Sequence, residues 1–448
     1  IECWDVVTAF LNGELEEDVY MRPPPGMHTY LNESLDGKLL KVKKGLYGLC
    51  QAGRTWWKTL DQWLMDKEVN PDCTKSSVDT CLYTFKEDDK FVLLLVYVDD
   101  LVVMHNDAAY FSKIKSRMFD AFKMTDGGEL QDVLGCEVER DKERGTLKFH
   151  QTRYILDMLE TFDKGNQATE KTPLAEVNTI SHLDCPAPES PEWKRAQSLP
   201  IRSLIGSLMY AEKSRPDIAL ALSRVASHGG NPGVAHYNAA LRILRYLRGT
   251  IDMKLTYWRN GGVTPHLFHA PGAKTAKQEC EYADGLVAMV DADYASCPAT
   301  RRSTSGWIIF LAGAPIAWGS KRQTITALSS AESEYVALAS CCKDALAVRH
   351  LVSQLPGNKI NGPTLVYEDN HACINMVKNP KGWKRTKHID VRLHFVRDLA
   401  DEDVIDIKYI PTWKQIADAL TKPLPLAQFA KFRDRLLGQL HDADILSK

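Results

Sequence analysis

Two carboxylates, Asp99 and Asp100, stand between two apolar runs, Phe91–Val98 (FVLLLVYV) and Leu101–Met104 (LVVM), in this 448-residue chain. A short, continuous, β-branched run suits a buried strand. Only two residues separate it from the next run, so the pair reads as a tight hairpin with both acids at its tip. Asp is also a good turn residue, so the acids alone have a plain structural reading. Phe111–Phe122 follows with apolar residues at helical spacing, which makes this part of the chain a mixture of strands and helices.

Hydrophobic residues at 44% and charged residues at 25% exclude wholesale disorder, collagen and coiled coil. The net charge of −2 means that any nucleic-acid contact has to use local basic patches. Phe91–Val98 is the longest clean apolar run near the front, whereas a transmembrane helix needs about 20 residues, so no membrane partner is expected. The cysteines number 11 and include no CxxC pair, which is neither a disulfide framework nor a zinc spacing and suits a reducing compartment. No leader segment is visible, and Ile1 falls within a motif, so the sequence reads as a piece of a longer polypeptide.

Two stretches of mixed Thr, Pro, Ser, Gly and charge, 165–200 and 260–285, read as linkers. They set off three parts: 1–164, 201–259 and 286–448. The middle part is helical, with three-to-four periodicity over Ile201–Tyr210 and His236–Leu247, the second basic on one side through Arg242, Arg245 and Arg248. In the last part, strands are expected at Leu286–Tyr294, Gly306–Leu311, Pro315–Trp318, Thr364–Tyr367 and Val404–Ile410, with a long helix at Ser330–Leu351. That order predicts a mixed α/β sheet covered by helices.

Four acids of the last part fall at the ends of these elements: Asp291, Glu334, Asp369 and Asp418. Each alone is an ordinary strand-end or helix-start acid. Ser329 and Glu332 have the spacing of a capping box, which gives Glu332 a structural task and leaves Glu334 free. His388 and His394 are six apart and do not form an i,i+4 metal pair, and no P-loop is present.

The hairpin sequence Tyr97-Val98-Asp99-Asp100, about a hundred residues after Asp5 in DVVTAFLNGEL, resembles the palm of a reverse transcriptase. LYGLCQAGRTWW, LLLVYVDDLVV, GELQDVLGCEV, LIGSLMYAEKSRPDIA and LRYLRGT narrow this to the polyprotein of copia-type (Pseudoviridae) LTR retrotransposons. DADYA, RRSTSGW, AWGSKRQ, LSSAESEYVAL, EDNHA and ADALTKPL resemble the ribonuclease H region of that family. The resemblance implies an α+β fold: an antiparallel polymerase palm with helices, a helical thumb or connection, then a five-stranded ribonuclease H-like sheet. It implies RNA-directed DNA polymerase and RNA–DNA hybrid ribonuclease activities by two-metal phosphoryl transfer.

The resemblance assigns Asp5, Asp99 and Asp100 to the polymerase metals, and Asp291, Glu334, Asp369 and Asp418 to the ribonuclease metals. Mg²⁺, two per site, is the expected cofactor, with Mn²⁺ as the alternative ion. Phe10 matches the gate against a ribose 2′-hydroxyl, Tyr47 and Gly48 the segment beneath the incoming nucleotide, and the Gly135 region the primer-gripping hairpin. Arg301, Arg302, Lys321, Arg322 and Lys381–Lys387 offer phosphate contacts, and His388–Asp398 matches a structural helix. The implied partners are RNA template, DNA primer, RNA–DNA hybrid and deoxynucleotides, with element-encoded capsid and integrase. The implied location is a cytoplasmic virus-like particle with nuclear delivery of the product. The family's fingers segment is not found ahead of Asp5, so feeble polymerase activity is expected. Two further readings stay open: a degenerate element product with hybrid cleavage only, and a nucleic-acid-binding remnant without activity. The last part, 286–448, is expected to be a self-sufficient catalyst.

Overall fold

The computed structural model describes every residue except 33, 176–179, 260–284, 358–359, 361, 380–389 and 440–448. The chain forms two compact units, 1–133 with 354–358, and 134–353 with 359–448.

The first unit is built on an antiparallel sheet of β1 (Glu2–Val6), β2 (Cys73–Lys75), β3 (Leu82–Glu87), β4 (Lys90–Tyr97), β5 (Asp100–His105) and β6 (Met124–Glu129), in the order β2-β3-β4-β5-β1-β6. The expected hairpin is β4–β5. Side chains alternate across a sheet, so Val92, Leu94 and Val96 of β4 share one face with Leu101 and Val103 of β5. Helices α1 (Ala52–Met65) and α2 (Ala108–Ala121) cover that face. In α1 the buried residues Trp56, Leu60 and Leu64 recur every four positions. The Asp107 carboxylate caps α2, accepting from the Tyr110 backbone N–H at 2.7 Å.

The hairpin tip is held under strain. Val98 has φ 59°, a left-handed conformation that a β-branched residue rarely takes. The Trp56 indole N–H donates to the Val98 carbonyl at 2.6 Å, and the Val6 N–H donates to the Asp99 carbonyl at 3.0 Å. These neighbours fix the turn that carries both acids.

The second unit begins with an antiparallel hairpin, β7 (Cys136–Asp141) and β8 (Thr146–His150), joined by β9 (Leu255–Trp258) on its far side. Helices α3 (Thr152–Phe162), α4 (Ile201–Ala211), α5 (Ala219–Ala226) and α6 (Val234–Gly249) lie between β8 and β9 in sequence. The arginines of α6 are turned inward to hold its neighbours. Arg245 and Arg248 both pair with Asp163 at 3.0 Å, and Arg242 pairs with Glu170 at 2.9 Å.

Next comes a five-stranded mixed sheet of β10 (Leu286–Asp293), β11 (Thr304–Leu311), β12 (Ala314–Arg322), β13 (Thr364–Glu368) and β14 (Ile405–Tyr409), in the order β12-β11-β10-β13-β14. The β10–β11 and β11–β12 pairs are antiparallel, and β10–β13 and β13–β14 are parallel. All five strands lie where the sequence predicts them. Helices α7 (Ser330–Ser353), α8 (His371–Lys378), α9 (Asp390–Asp401) and α10 (Leu426–Leu436) complete the unit.

Both faces of β10 are buried, which explains its near-continuous apolar run. Leu286, Ala288 and Val290 face a core with Tyr335, Leu338, Met376 and Val396. Val287 and Met289 of β10, with Ile308 and Phe310 of β11, face a second core. That core also contains Leu204, Leu208, Leu222, Ile243 and Leu247 of the helical segment, and Phe432 of α10. The helices of 201–259 therefore share a core with the sheet.

The compact units differ from the expected divisions at 1–164, 201–259 and 286–448. The hairpin from Cys136 pairs with β9, and α3 contributes Ile155, Met158 and Leu159 to the shared core. The Gly135 region, expected as a hairpin from the resemblance, is a turn with Gly135 at φ 72° that leads into β7, and no expectation covers β8 or β9. Among the described residues, the cysteines are free and no helix is long and apolar enough to cross a membrane.

Candidate active sites

In the first unit, Asp5 on β1 stands opposite Asp100 on β5. Asp5 and Asp100 are exposed and Asp99 is half-buried. Partial burial and then the Asp99 charge raise the Asp5 pKa. Asp100 is raised likewise, by burial and then by Asp99 and Asp5. Among the described residues, these three do not form a set whose oxygens all lie within 4.8 Å of one another. They make an open acidic lip.

Phe10 sits in the 3₁₀ turn Ala9–Asn12 just after β1. Its ring lies 4.5 Å from that of Tyr47, centroid to centroid. Gly48, next in the chain, has φ +98°, a conformation open to glycine and closed to most other residues. Phe10, Tyr47 and Gly48 are thus brought together from two separate segments.

The second unit gathers its acids far more tightly. Asp291 lies near the end of the central strand and is 2% exposed; Glu334 lies in the first turns of α7 and is 6% exposed; Asp369 follows β13. One oxygen from each lies within 4.8 Å of the others. Asp291 Oδ2 accepts a short hydrogen bond from the Thr421 hydroxyl, and Asp369 Oδ2 accepts from the Thr412 hydroxyl at 2.7 Å. Glu334 Oε2 is buried with no hydrogen-bond partner.

Asp418 lies in the 3₁₀ segment Ile416–Leu420, which the Gln415 side chain ties to the central strand by donating to the Val290 carbonyl at 2.9 Å. Gly306 stands opposite Asp291 in the sheet, and a Cβ there would lie 2.6 Å from Thr421 Cγ2. Its missing side chain lets the Thr421 segment approach. The Lys422 ammonium is 2.8 Å from Asp418 Oδ1 and 3.7 Å from Asp291 Oδ2.

Burial is the first cause of every shift here. It raises Asp291 despite Lys422 and Thr421, and raises Glu334 well above the carboxylate range, with Glu368, Asp291 and Asp369 adding to it. Asp418 is pushed up to about 7 by burial and then by Asp291, with Lys422 opposing. Carboxylates held this close and this dry repel one another until a cation joins them. An orphaned buried carboxylate oxygen beside two more oxygens suits a hard divalent ion.

Three participants escaped the sequence reading. Glu368 is fully buried, accepts from the Asn370 N–H at 3.0 Å through Oε1, and leaves Oε2 buried without a partner. Burial holds it well above the carboxylate range. Thr421 and Lys422 are the others. Lys422 stands four residues after Asp418, a spacing that could have marked the pair.

Glu332 makes the capping contacts expected of it. Ser329 Oγ accepts from the Glu332 N–H at 3.2 Å, and Glu332 Oε2 accepts from the Leu328 N–H at 2.6 Å. The reciprocal bond thus reaches one residue further back than in a standard capping box. Asp293 pairs with Arg224 at 3.8 Å. Arg301, Arg302 and Lys321 are exposed, while Arg322 donates to Cys297 Sγ at 3.7 Å. Lys381–Lys387 and His388 lie outside the described residues.

Another close set, Cys185, His228 and His236, was not expected. His236 Nδ1 accepts from the Gly233 N–H at 2.9 Å, and its Nε2 faces the Ser181 carbonyl at 3.2 Å. Both ring nitrogens are thereby committed to backbone, one at the start of α6 and the other at Ser181.

Residues 1–176 match the family described as reverse transcriptase (RNA-dependent DNA polymerase). The retrovirus-related Pol polyprotein from transposon TNT 1-94 of Nicotiana tabacum is 34% identical over 96% of this chain and 30% of its own length. That from transposon RE1 of Arabidopsis thaliana is 30% identical over 96% of this chain and 27% of its own. The chain thus spans less than a third of these relatives. A Ty5-1 transposon protein of Saccharomyces cerevisiae is 27% identical over 74% of this chain and 97% of its own length. Among solved structures, the foamy viral protease-reverse transcriptase in complex with double-stranded DNA covers 92% of this chain and 56% of its own, at 12% identity and a TM-score of 0.49.

Proposed function

The chain is a relative of the copia-type retrotransposon Pol polyproteins and carries a reverse transcriptase domain at residues 1–176, and from that premise we propose that its two acid sites perform two phosphoryl transfers. The first unit adds deoxynucleotides to a primer on an RNA template. The second cuts the RNA strand of the RNA–DNA hybrid that results. The observation that carries the second assignment is the convergence within 4.8 Å of Asp291 on the central strand, Glu334 on the helix α7 and Asp369 just after β13.

Asp291, Glu334, Asp369 and Asp418 would hold two divalent ions, Mg²⁺ in our reading. Such a pair, when bound about 3.5–4 Å apart, supplies the charge that stabilises the attacking and leaving oxygens. The protein's own part is positioning. Thr421 and Thr412 each fix one oxygen of Asp291 and Asp369. The first turns of α7 fix Glu334. In the cleavage, the oxygen of water forms the new bond to phosphorus, the bond from phosphorus to the 3′-oxygen breaks, and that oxygen takes a proton. The products are a 3′-hydroxyl and a 5′-phosphate. Discrimination of RNA from DNA rests on the 2′-hydroxyl and helix shape.

In the first unit, Asp5, Asp99 and Asp100 would hold the corresponding ions while a primer 3′-hydroxyl attacks the α-phosphorus of a deoxynucleotide. Phe10, packed on Tyr47, bars a ribose 2′-hydroxyl, and Gly48 lets the backbone pass beneath the base. Capsid and integrase of the same element, and a virus-like particle as the location, complete the proposal.

The test is cutting of a labelled RNA–DNA hybrid by the purified chain with Mg²⁺. Cleavage that leaves 3′-hydroxyl ends and disappears in Glu334→Gln is expected. An intact hybrid after incubation with folded protein would refute the nuclease assignment and favour a degenerate or merely binding product. A primed homopolymer RNA template with deoxynucleotides tests the first unit separately.

A further inference from the structure

The four acids of the second site are not equivalent. Asp291, Glu334 and Asp369 form one close set, and Asp418 is not part of it. Asp418, 1% exposed, instead faces the Lys422 ammonium at 2.8 Å, and the same ammonium reaches Asp291 Oδ2 at 3.7 Å. One corner of the site therefore already holds a positive charge, supplied by the chain. The other corner holds three acids; Glu334 Oε2 there and Asp418 Oδ1 are both buried without a hydrogen bond, and the second has the ammonium at 2.8 Å.

We infer that Lys422 is a resident counter-ion that makes this site load its divalent ions in order, the first on Asp291, Glu334 and Asp369, the second on the Asp418 side only as the ammonium leaves. The inference rests on the proposed nuclease reading and adds a sequence of events to it. Two cations cannot share the Asp418 corner, because their repulsion at a few ångströms in a poorly solvated site is large. The lysine has a way out: its side chain is 34% exposed, against 1% for that of Asp418. A flexible four-carbon stem can carry the ammonium to water while its methylene groups stay packed. Before any ion arrives, the lysine offsets part of the repulsion between Asp291 and Asp418. After the second ion arrives, the freed ammonium stands at the edge of the site, where a substrate phosphate would meet it.

The experiment counts ions directly, without reference to turnover. The full chain carrying Asp99→Asn and Asp100→Asn, which silences the first unit's site, is titrated with Mn²⁺ and followed by paramagnetic resonance and calorimetry. Two steps are expected, the second weaker by at least about tenfold, the size of an ordinary coupling between sites. Lys422→Met should bring the two steps within about threefold of each other, a near loss of that coupling, and lower the melting temperature of the metal-free protein. Lys422→Arg, which keeps the charge, should preserve the separation and guards against a variant that fails to fold. Asp418→Asn should remove the second step and leave the first. Two steps unchanged in Lys422→Met would overturn ordered loading while leaving the nuclease reading intact. No Mn²⁺ bound at all by the folded protein would overturn both.

Discussion

The two acid clusters of this chain are prepared to different degrees. In the first unit, Asp5, Asp99 and Asp100 lie on a strained hairpin and its neighbouring strand, open to water and not yet converged. In the second, Asp291 and Glu334 are buried, converge with Asp369, and are braced by Thr421, Thr412 and Lys422. The open cluster keeps its hydration and must be completed by what binds to it. The closed cluster has given up hydration during folding, so its electrostatic cost is built into the stability of the metal-free protein.

The sharpest way to break this contrast is to neutralise one acid in each cluster. Asp291→Asn should reduce hybrid cleavage by at least about a thousandfold, yet leave the metal-free melting temperature unchanged or raised by about 2–4 °C. Asn still accepts the Thr421 hydroxyl, and one source of repulsion is gone. Asp99→Asn should abolish primer extension with no rise in melting temperature, because that acid keeps more of its solvent. Parallel melts with labelled-hybrid and primer-extension assays decide it. Equal thermal responses would show that the clusters are not differently prepared.

A second test concerns what braces the closed cluster. The shared core predicts that residues 286–448 alone lose the cover over Val287, Met289, Ile308 and Phe310. At about 1.5–3 kcal/mol for each large side chain, the loss is roughly 6–12 kcal/mol, comparable to the whole stability of a typical domain at about 5–15 kcal/mol. The isolated segment should aggregate or lack a cooperative melt, whereas 134–448 should melt sharply. This replaces the expectation of a self-sufficient segment drawn from its strands and acids alone. A transition of 286–448 within about 5 °C of the longer piece would restore that expectation.

Acidity gives a third, smaller test. A carboxyl whose folded pKa lies above its unfolded value binds more protons when folded, so stability falls as pH rises between the two. For Asp418 that window runs from 3.8 to about 7. Asp291 and Glu334 push the same way, while Asp163 and Asp217, held low beside arginines despite burial, push the other way at lower pH. The informative quantity is therefore the difference from Asp418→Asn. The variant should gain relative stability from pH 4 to 7 without metal, and lose that advantage in Mg²⁺. A pH-independent difference would show that Asp418 is ionised throughout. The smallest effect belongs to the cap: Glu332→Gln should cost at most about 1 kcal/mol and leave cleavage intact, checked by denaturant melts and the hybrid assay.

Much of this was legible because the informative positions break a simple pattern. Asp99-Asp100 between two apolar runs, and Asp291 at the end of another, stand out where every neighbour is apolar. Glu332 and Glu334 could be separated by capping chemistry alone. Glu368 was hidden because an acid beside Asp369 reads as one more charge; only its depth in the sheet gives it meaning. β7 alternates only briefly, Cys136 and Val138 against Glu137 and Glu139, before Arg140 and Asp141 end the pattern, which is too short a run to announce a strand. The basic stripe of α6 was visible as a pattern, but its partners Asp163 and Glu170 lie 72–85 positions away, beyond any local rule. The shared core was obscured by the compositional break at 260–285, which looks like a boundary whether or not the flanking elements pack together.

That core also sets a timetable. A ribosome finishes Leu204, Leu208, Leu222, Ile243 and Leu247 before the strands that cover them have been made, and Phe432 follows only with the last helix. At typical elongation rates the interval from Leu247 to Phe432 is on the order of 10–40 s. Throughout it the nascent helices present a greasy face with nothing to close it, so a chaperone waiting at the exit tunnel has a defined target and a defined time in which to use it.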